Sequence, residues 1–287
     1  MIALNREADL WGKSGVWRYS GDWVHYFKAN DTMLMEIPWH LNESLSPREQ
    51  RSIAHSIAIF QLGESSDGQH FMAAGKAYVE ASGDTHYQDA LGRFIAEERR
   101  HSRDLGRFMR THNIPLLQHQ WTDNIFRCIR KVAGLEVCIS VLVTAELVAK
   151  TYYKALHDAT QSQVLKALCR QICRDEVQHV YFQSGVLGRI RQGRSLGPLW
   201  VTEKLHALLM AGTLVVVWLD HRHVYRAGGY SFWRYVRDTW AELRASLRIS
   251  RSWAVLGQEM EPIASAAGRH VFMTPEPAPE AYVEPAL

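Results

Sequence analysis

Proline is placed so sparingly in this chain that its long proline-free intervals leave little room for anything but helices. Pro47, Pro115, Pro198 and Pro262 mark off those intervals, and the remaining prolines gather mainly in the tail. Proline interrupts a helix interior but suits its first turn. The first interval opens with Ser46-Pro47-Arg48-Glu49, a reciprocal capping signature followed by Ile53, Ile57, Phe60 and Glu64 at spacings of three and four. This pattern predicts one helix from residue 46 to a break at Ala81-Ser82-Gly83-Asp84.

The same reasoning places three more long helices. One runs from about 84 to 112, with Leu91, Phe94, Ile95, Glu98, His101, Leu105 and Phe108 on one stripe. Another ends around Asp158, and a fourth starts at Thr160 and Gln163 and carries Val164, Leu168, Ile172, Glu176, His179 and Phe182 on one face. Two further helices are expected at roughly 199–225 and 230–248, and no alternating strand pattern appears. The fold expected is all-α: one domain over 1–258, with a bundle at about 46–192, an N-terminal extension and two C-terminal helices. Residues 259–287 form a Pro/Ala/Glu-rich tail expected to be mobile. Four of the ten tryptophans lie in the first 45 residues and are expected to pack across the bundle.

With 47% apolar and 22% charged residues over 287 positions, the chain can bury a large core without disulfides or a structural metal. Any metal site is therefore read as functional. A net charge of +3 without a Lys/Arg block gives no reason to expect nucleic acid as a partner. Cys128, Cys138, Cys169 and Cys173 sit in apolar helical stretches, and MIALNREADLWGK lacks the features of a signal peptide, so buried thiols and a cytoplasmic location are expected. The spacing of Cys169 and Cys173 also suits a redox pair. Ala207–Leu219 is the most apolar run, shorter than the roughly 20 residues a bilayer requires. It reads as a buried helix with no transmembrane span, attachment to a membrane surface being the alternative.

Chemistry enters with two Glu-x-x-His pairs, Glu98/His101 and Glu176/His179. Residues three apart share a helical face, so each pair can grip one ion. With 18 glutamates and 14 histidines, composition alone yields about one such pair, and Glu203/His206 is read as that coincidence. The other two each have an upstream glutamate in apolar surroundings. Glu64 and Glu98 are both 17 residues from a turn near 81, while Glu146 and Glu176 are both 15 from a turn near 161. In antiparallel hairpins such residues lie level, about 25 Å and 22 Å from their turns. Four carboxylates and two imidazoles then converge in a low-dielectric interior, where two divalent ions would balance four negative charges. For Glu146, among Leu142, Val143 and Val148, a satisfied core carboxylate is the plainer alternative. Gly63 and Gly68 each weaken the helix around Glu64 by about 1 kcal/mol relative to Ala, or else permit a close helix contact or a local bulge beside the site.

One Glu from each of two helices plus Glu-x-x-His from each of two others resembles the ferritin-like di-iron carboxylate superfamily, over about Ser46 to Arg191. The resemblance implies a four-helix bundle with a crossover connection. At about 3.4 Å per residue a link from His112 to Thr122 is too short to cross the bundle. The third helix is therefore expected to begin near Gly134, and residues 112–133 to form a crossover holding a short helix with Ile125, Phe126, Ile129 and Val132. The resemblance also implies metal ligation and catalysis by Glu64, Glu98, His101, Glu146, Glu176 and His179, with one glutamate of each set bridging. It further implies that Glu97 and Asp175 accept the far ring N–H of a ligand histidine, on the opposite helix. The implied cofactor is two Fe ions, with Mn or a mixed pair accepted by the same ligands.

The function this implies is an oxygen-dependent oxidoreductase, an oxygenase or a desaturase. Its expected partners are dioxygen, an organic and apolar substrate and an external electron donor, with a homodimer left open. Ile95-Ala96-Glu97-Glu98-Arg99-Arg100-His101 looks like the first ligand segment of the acyl-carrier desaturases. Phe60, Phe94, Ile95, Leu142, Val143, Ile172 and Phe182 serve as core filler or border a substrate cavity. Two other readings stay open. One is a ferroxidase or peroxide scavenger like the ferritins and rubrerythrins, although no rubredoxin-like cysteine quartet is present. The other is a ribonucleotide reductase radical subunit, for which Tyr87, Tyr152, Tyr153 and Tyr181 lie on bundle helices. A purely structural helical protein is the non-enzyme reading.

Overall fold

The computed structural model describes residues 19–65, 68–118 and 134–256. Among the described residues every regular element is an α-helix: α1 (Ser20–Asn30), α2 (Pro47–Gly63), α3 (Gln69–Ser82), α4 (Tyr87–Thr111), α5 (Leu135–Ala159), α6 (Gln163–Ile190), α7 (Leu196–Ala227) and α8 (Phe232–Leu256). The all-α expectation is met. The crossover helix expected around 125–132, Cys128, and the tail 259–287 lie outside the described residues.

Local sequence explains where the helices start. Ser46 Oγ accepts from the Glu49 amide at 3.2 Å, and a Glu49 carboxylate oxygen accepts from the Ser46 amide at 2.9 Å. This is the reciprocal box foreseen for α2. Gly134, with φ −65° and ψ 170°, is the N-cap of α5. Ser162 rather than Thr160 caps α6, accepting from the Leu165 amide at 3.1 Å.

One helix expected to be continuous is broken. The chain leaves α2 at Glu64, its C-cap, and re-enters a helix at Gly68, whose φ of +68° only glycine adopts without strain. A Cβ on Gly68 would lie 2.6 Å from Ile95 Cδ1, so the chain passes tightly over α4 here. The break leaves Glu64 on the last hydrogen bond of α2, its amide donating to Phe60 O at 3.0 Å.

Two antiparallel hairpins make the bundle. α4 lies along α2 and α3; α5 lies along α6; and α4 meets α6 where the hairpins face one another. Side-chain bonds fix the registers: Gln61 donates to Ser102 Oγ at 2.9 Å, and Gln88 to Met72 O at 3.3 Å. In the second hairpin Arg191 reaches Glu136 at 2.8 Å. The hairpin geometry inferred from equal distances to the turns is thereby present. The core is rich in rings. Trp23 and Phe27 of α1 pack on Phe182 with centroids 5.4 and 5.6 Å apart, so Trp23 packs across the bundle as expected, while Trp11 and Trp17 lie outside the described residues. Each such side chain stabilises by about 1.5–3 kcal/mol when fully buried. Cys138, Cys169 and Cys173 are buried free thiols, and burial pushes Cys173 up to about 12.

α7 differs from its expectation. It extends over 32 residues, long and apolar enough by length and composition to cross a membrane, and only 22% of its most apolar window is buried. Its inner face packs on α5 and α2, while its outer face is exposed. The reading of Ala207–Leu219 as a buried helix is therefore overturned, because the bundle needs only half of the helix's circumference.

Candidate metal centre

All six side chains singled out by spacing come together between the hairpins. Glu64, Glu98, His101 and Glu176 form one group of four donors, and Glu98, Glu146, Glu176 and His179 form another, with donor atoms in each within 4.8 Å of one another. Glu98 and Glu176 belong to both. From His101 Nδ1 the nearest oxygens of Glu64, Glu98 and Glu176 are 4.0, 3.8 and 3.7 Å away. From His179 Nδ1 those of Glu98, Glu146 and Glu176 are 2.9, 3.7 and 3.5 Å away. Donors about 2.1 Å from a common ion stand about 3.0–3.4 Å apart, so each group needs only slight contraction to ligate.

The hydrogen bonds show which histidine nitrogen faces inward. His101 Nε2 donates to Asp175 Oδ2 at 3.1 Å, and His179 Nε2 donates to Glu97 Oε2 at 3.0 Å. Each bond crosses from one hairpin to the other, as expected for Glu97 and Asp175. Both Nδ1 atoms, Glu98 Oε1 and both Glu176 oxygens are buried without a hydrogen-bond partner among the described residues. Native proteins rarely leave such groups unpaired, and here the orphaned lone pairs share one small volume. These groups can hold metal ions.

Charge tells the same story. Burial, reinforced by neighbouring carboxylates, holds Glu64, Glu98 and Glu176 above the ordinary glutamate range. Burial also acts on Glu146, but the adjoining Glu176 and His179 outweigh it and bring Glu146 below that range. Burial would disfavour a charged His179, yet the surrounding carboxylates raise it well above the usual imidazole value. Without cations the cluster must take up protons, because four desolvated carboxylates cannot all ionise side by side.

Outside the donors lies a network that spacing did not reveal. Asn30 Nδ2 donates to Glu97 at 2.6 Å and to Asp175 at 3.0 Å, tying both histidine-holding carboxylates to α1. Arg174 fixes Asn30 by donating to its Oδ1 at 2.7 Å. Arg100 and Gln171 donate to Asp175 at 2.7 and 2.8 Å. Burial would raise Asp175, but His101, Arg100 and Gln171 hold it far below the usual carboxylate range. Gln171 lies one helical turn before Asp175, a spacing that offered a hint; no signal pointed to Asn30. Tyr153, foreseen only as one tyrosine among several, donates its hydroxyl to Glu64 Oε1 at 2.7 Å.

The third Glu-x-x-His pair is elsewhere. Glu203 pairs with Arg251, and His206 meets Thr144 Oγ1 at 3.0 Å. The large apolar residues around the donors serve as packing: Phe94 sets its ring edge-to-face on His179 at 4.7 Å, and Phe60 stacks on Tyr152 at 3.5 Å. No protein-family model, curated protein or solved structure matches this chain.

Proposed function

We propose that this protein is an oxygen-dependent oxidoreductase working through two transition-metal ions held by Glu64, Glu98, His101, Glu146, Glu176 and His179. One observation carries the reading: two four-donor groups share Glu98 and Glu176, one glutamate from each hairpin, as a bridged pair of ions requires. The donor chemistry, hard carboxylates with one imidazole per ion, suits iron or manganese. Bound in the ferrous state, such a pair supplies the electrons that reduce dioxygen and enable oxidation of an organic substrate.

The chain supplies the remainder. Asp175 and Glu97 fix each imidazole with Nδ1 facing the ions and raise its basicity. The rings of Phe27 and Phe94 pack on His179, Phe182 lies against both of them, and His179 is fully buried from water. A second reading, one-electron oxidation of a tyrosine, is favoured by the Tyr153–Glu64 contact. In that reading Tyr153 would be the residue oxidised, and Glu64 is placed to accept its hydroxyl proton.

Metal analysis of the purified protein, followed by anaerobic ferrous loading and exposure to air, tests the proposal. The expected result is two metals per chain and an oxygen-dependent change in the optical spectrum. Fewer than one metal per chain, or no response to oxygen, overturns it. A persistent tyrosyl signal in electron paramagnetic resonance, lost in Tyr153→Phe, would select the second reading.

A further inference from the structure

α7 carries an exposed stripe that the bundle does not use. Val201, Leu205, Leu208, Gly212, Val215 and Leu219 follow one another at alternating steps of four and three, so they share one face over about 27 Å of helix. Leu205, Leu208, Val215 and Leu219 are 61%, 70%, 50% and 55% exposed. A continuous apolar face of this kind marks a contact surface.

Charge says what covers it. The charged residues at exposed positions of α7 are Lys204, Arg222 and Arg226, all cationic. The two acids of the helix are less exposed, and Glu203 turns to Arg251 of α8. Lys204 and Arg222 lie on the same edge of the stripe, five turns apart. Pairing two copies of α7 antiparallel about Gly212 would bring Lys204 of one within about 3 Å of rise of Arg222 of the other on the same edge, and pairing them parallel would put the cations on opposite sides of the seam with no exposed acid to meet them. A second copy is thus electrostatically mismatched, whereas an apolar stripe edged by cations matches an anionic bilayer surface. Trp200 at the start of the stripe and Trp233 at the start of α8 are 57% and 75% exposed, the residue type that favours the headgroup level.

We infer that α7 lies flat on an anionic phospholipid bilayer, with the Val201–Leu219 stripe immersed at the acyl boundary and Lys204, Arg222 and Arg226 at the phosphates. Its opposite face excludes spanning. Thr144 Oγ1 meets His206 at 3.0 Å and Ser56 Oγ meets His221 at 2.7 Å, so insertion across the bilayer would tear buried polar pairs out of the bundle. The inference does not rest on the metal centre, and its test needs no metal.

The test is flotation of the full-length protein with vesicles of phosphatidylcholine alone and of an equal mixture with phosphatidylglycerol. The protein is expected to float with the mixed vesicles, to be released by high salt, and to float weakly with phosphatidylcholine. The double variant Leu205→Ser/Leu208→Ser should lose about tenfold or more in partitioning while keeping the wild-type circular dichroism spectrum. Arg222→Ser/Arg226→Ser should weaken binding to mixed vesicles only. Protein that stays in solution with both vesicle types, or binding indifferent to both variants, overturns the inference. So does a dimer in sedimentation that Leu208→Glu dissociates, which would assign the stripe to a second copy.

Discussion

Asp175 on α6 accepts the Nε2 proton of His101 on α4 at 3.1 Å, so the orientation of one hairpin's imidazole is set by the other hairpin's carboxylate. Glu97 treats His179 in the same way at 3.0 Å. The two hairpins therefore lock each other's donors in place. Asp175→Asn keeps the shape and removes the charge that also pairs with Arg100. Ferrous affinity should fall about 10–100-fold, measured by competitive titration with a chelator. An unchanged affinity would show that the bond across the hairpins does not orient the ligand.

Glu176 is fully buried, and neither of its oxygens has a hydrogen-bond partner among the described residues. Glu176→Gln should therefore act in opposite directions in the two states of the protein. In metal-free protein it relieves repulsion with Glu98 and Glu146 and should raise stability by about 1–3 kcal/mol in chemical denaturation. In metal-loaded protein it should lower stoichiometry and forfeit the stabilisation that metal binding gives. Chelation of the wild type should likewise lower its thermal midpoint. If the glutamine variant is less stable in the metal-free state, the carboxylate is a satisfied core group and not a ligand.

Acid should weaken the attachment of α7. Burial pushes His206 down to about 4 and His221 down to about 3. Both are neutral in the folded state at neutral pH, whereas the unfolded chain protonates near the ordinary value of 6.5. Between those limits the unfolded state binds more protons, so stability is complete above about pH 6.5 and declines as pH falls toward 4. Thermal midpoints across this range should drop, and the drop should be shallower in His221→Gln. A midpoint that holds steady from pH 7 to about 4 would contradict the buried, neutral state of these histidines.

Gly188 marks a close approach of α6 to α8. A Cβ there would strike the Ser250 carbonyl oxygen and lie 2.5 Å from Trp253 Cβ. Gly188→Ala should cost about 1–3 kcal/mol, since backbone cannot yield as a flexible side chain would. Gly92, with nothing within 4 Å of its Cβ position, provides the control: Gly92→Ala should be neutral or stabilising by a few tenths of a kcal/mol to about 1 kcal/mol.

The extent to which the sequence was legible follows from the range of the interactions involved. The helix start at Pro47 was readable because a cap depends on neighbours within a turn, whereas the start at Leu135, which has no side-chain cap, followed only from the length a crossing link needs. The level placement of Glu64 with Glu98 and of Glu146 with Glu176 was readable because helical rise is constant and a hairpin folds on its turn. The break at Gly68 was harder to read, since it answers to Ile95 on another helix. Asn30 gave no sign at all, for its role exists only where α1 meets α4 and α6.

By itself, then, the sequence determined what lies within reach along a helix: the proline-free intervals, the caps, and six candidate donor side chains at one height, all properties of a chain and its nearest neighbours. Tertiary structure alone decided which imidazole nitrogen faces inward, which carboxylates are shared, and which face of α7 stays bare. Those outcomes depend on groups far apart in sequence being desolvated together, and burial, unlike helical periodicity, is set only once the elements have packed.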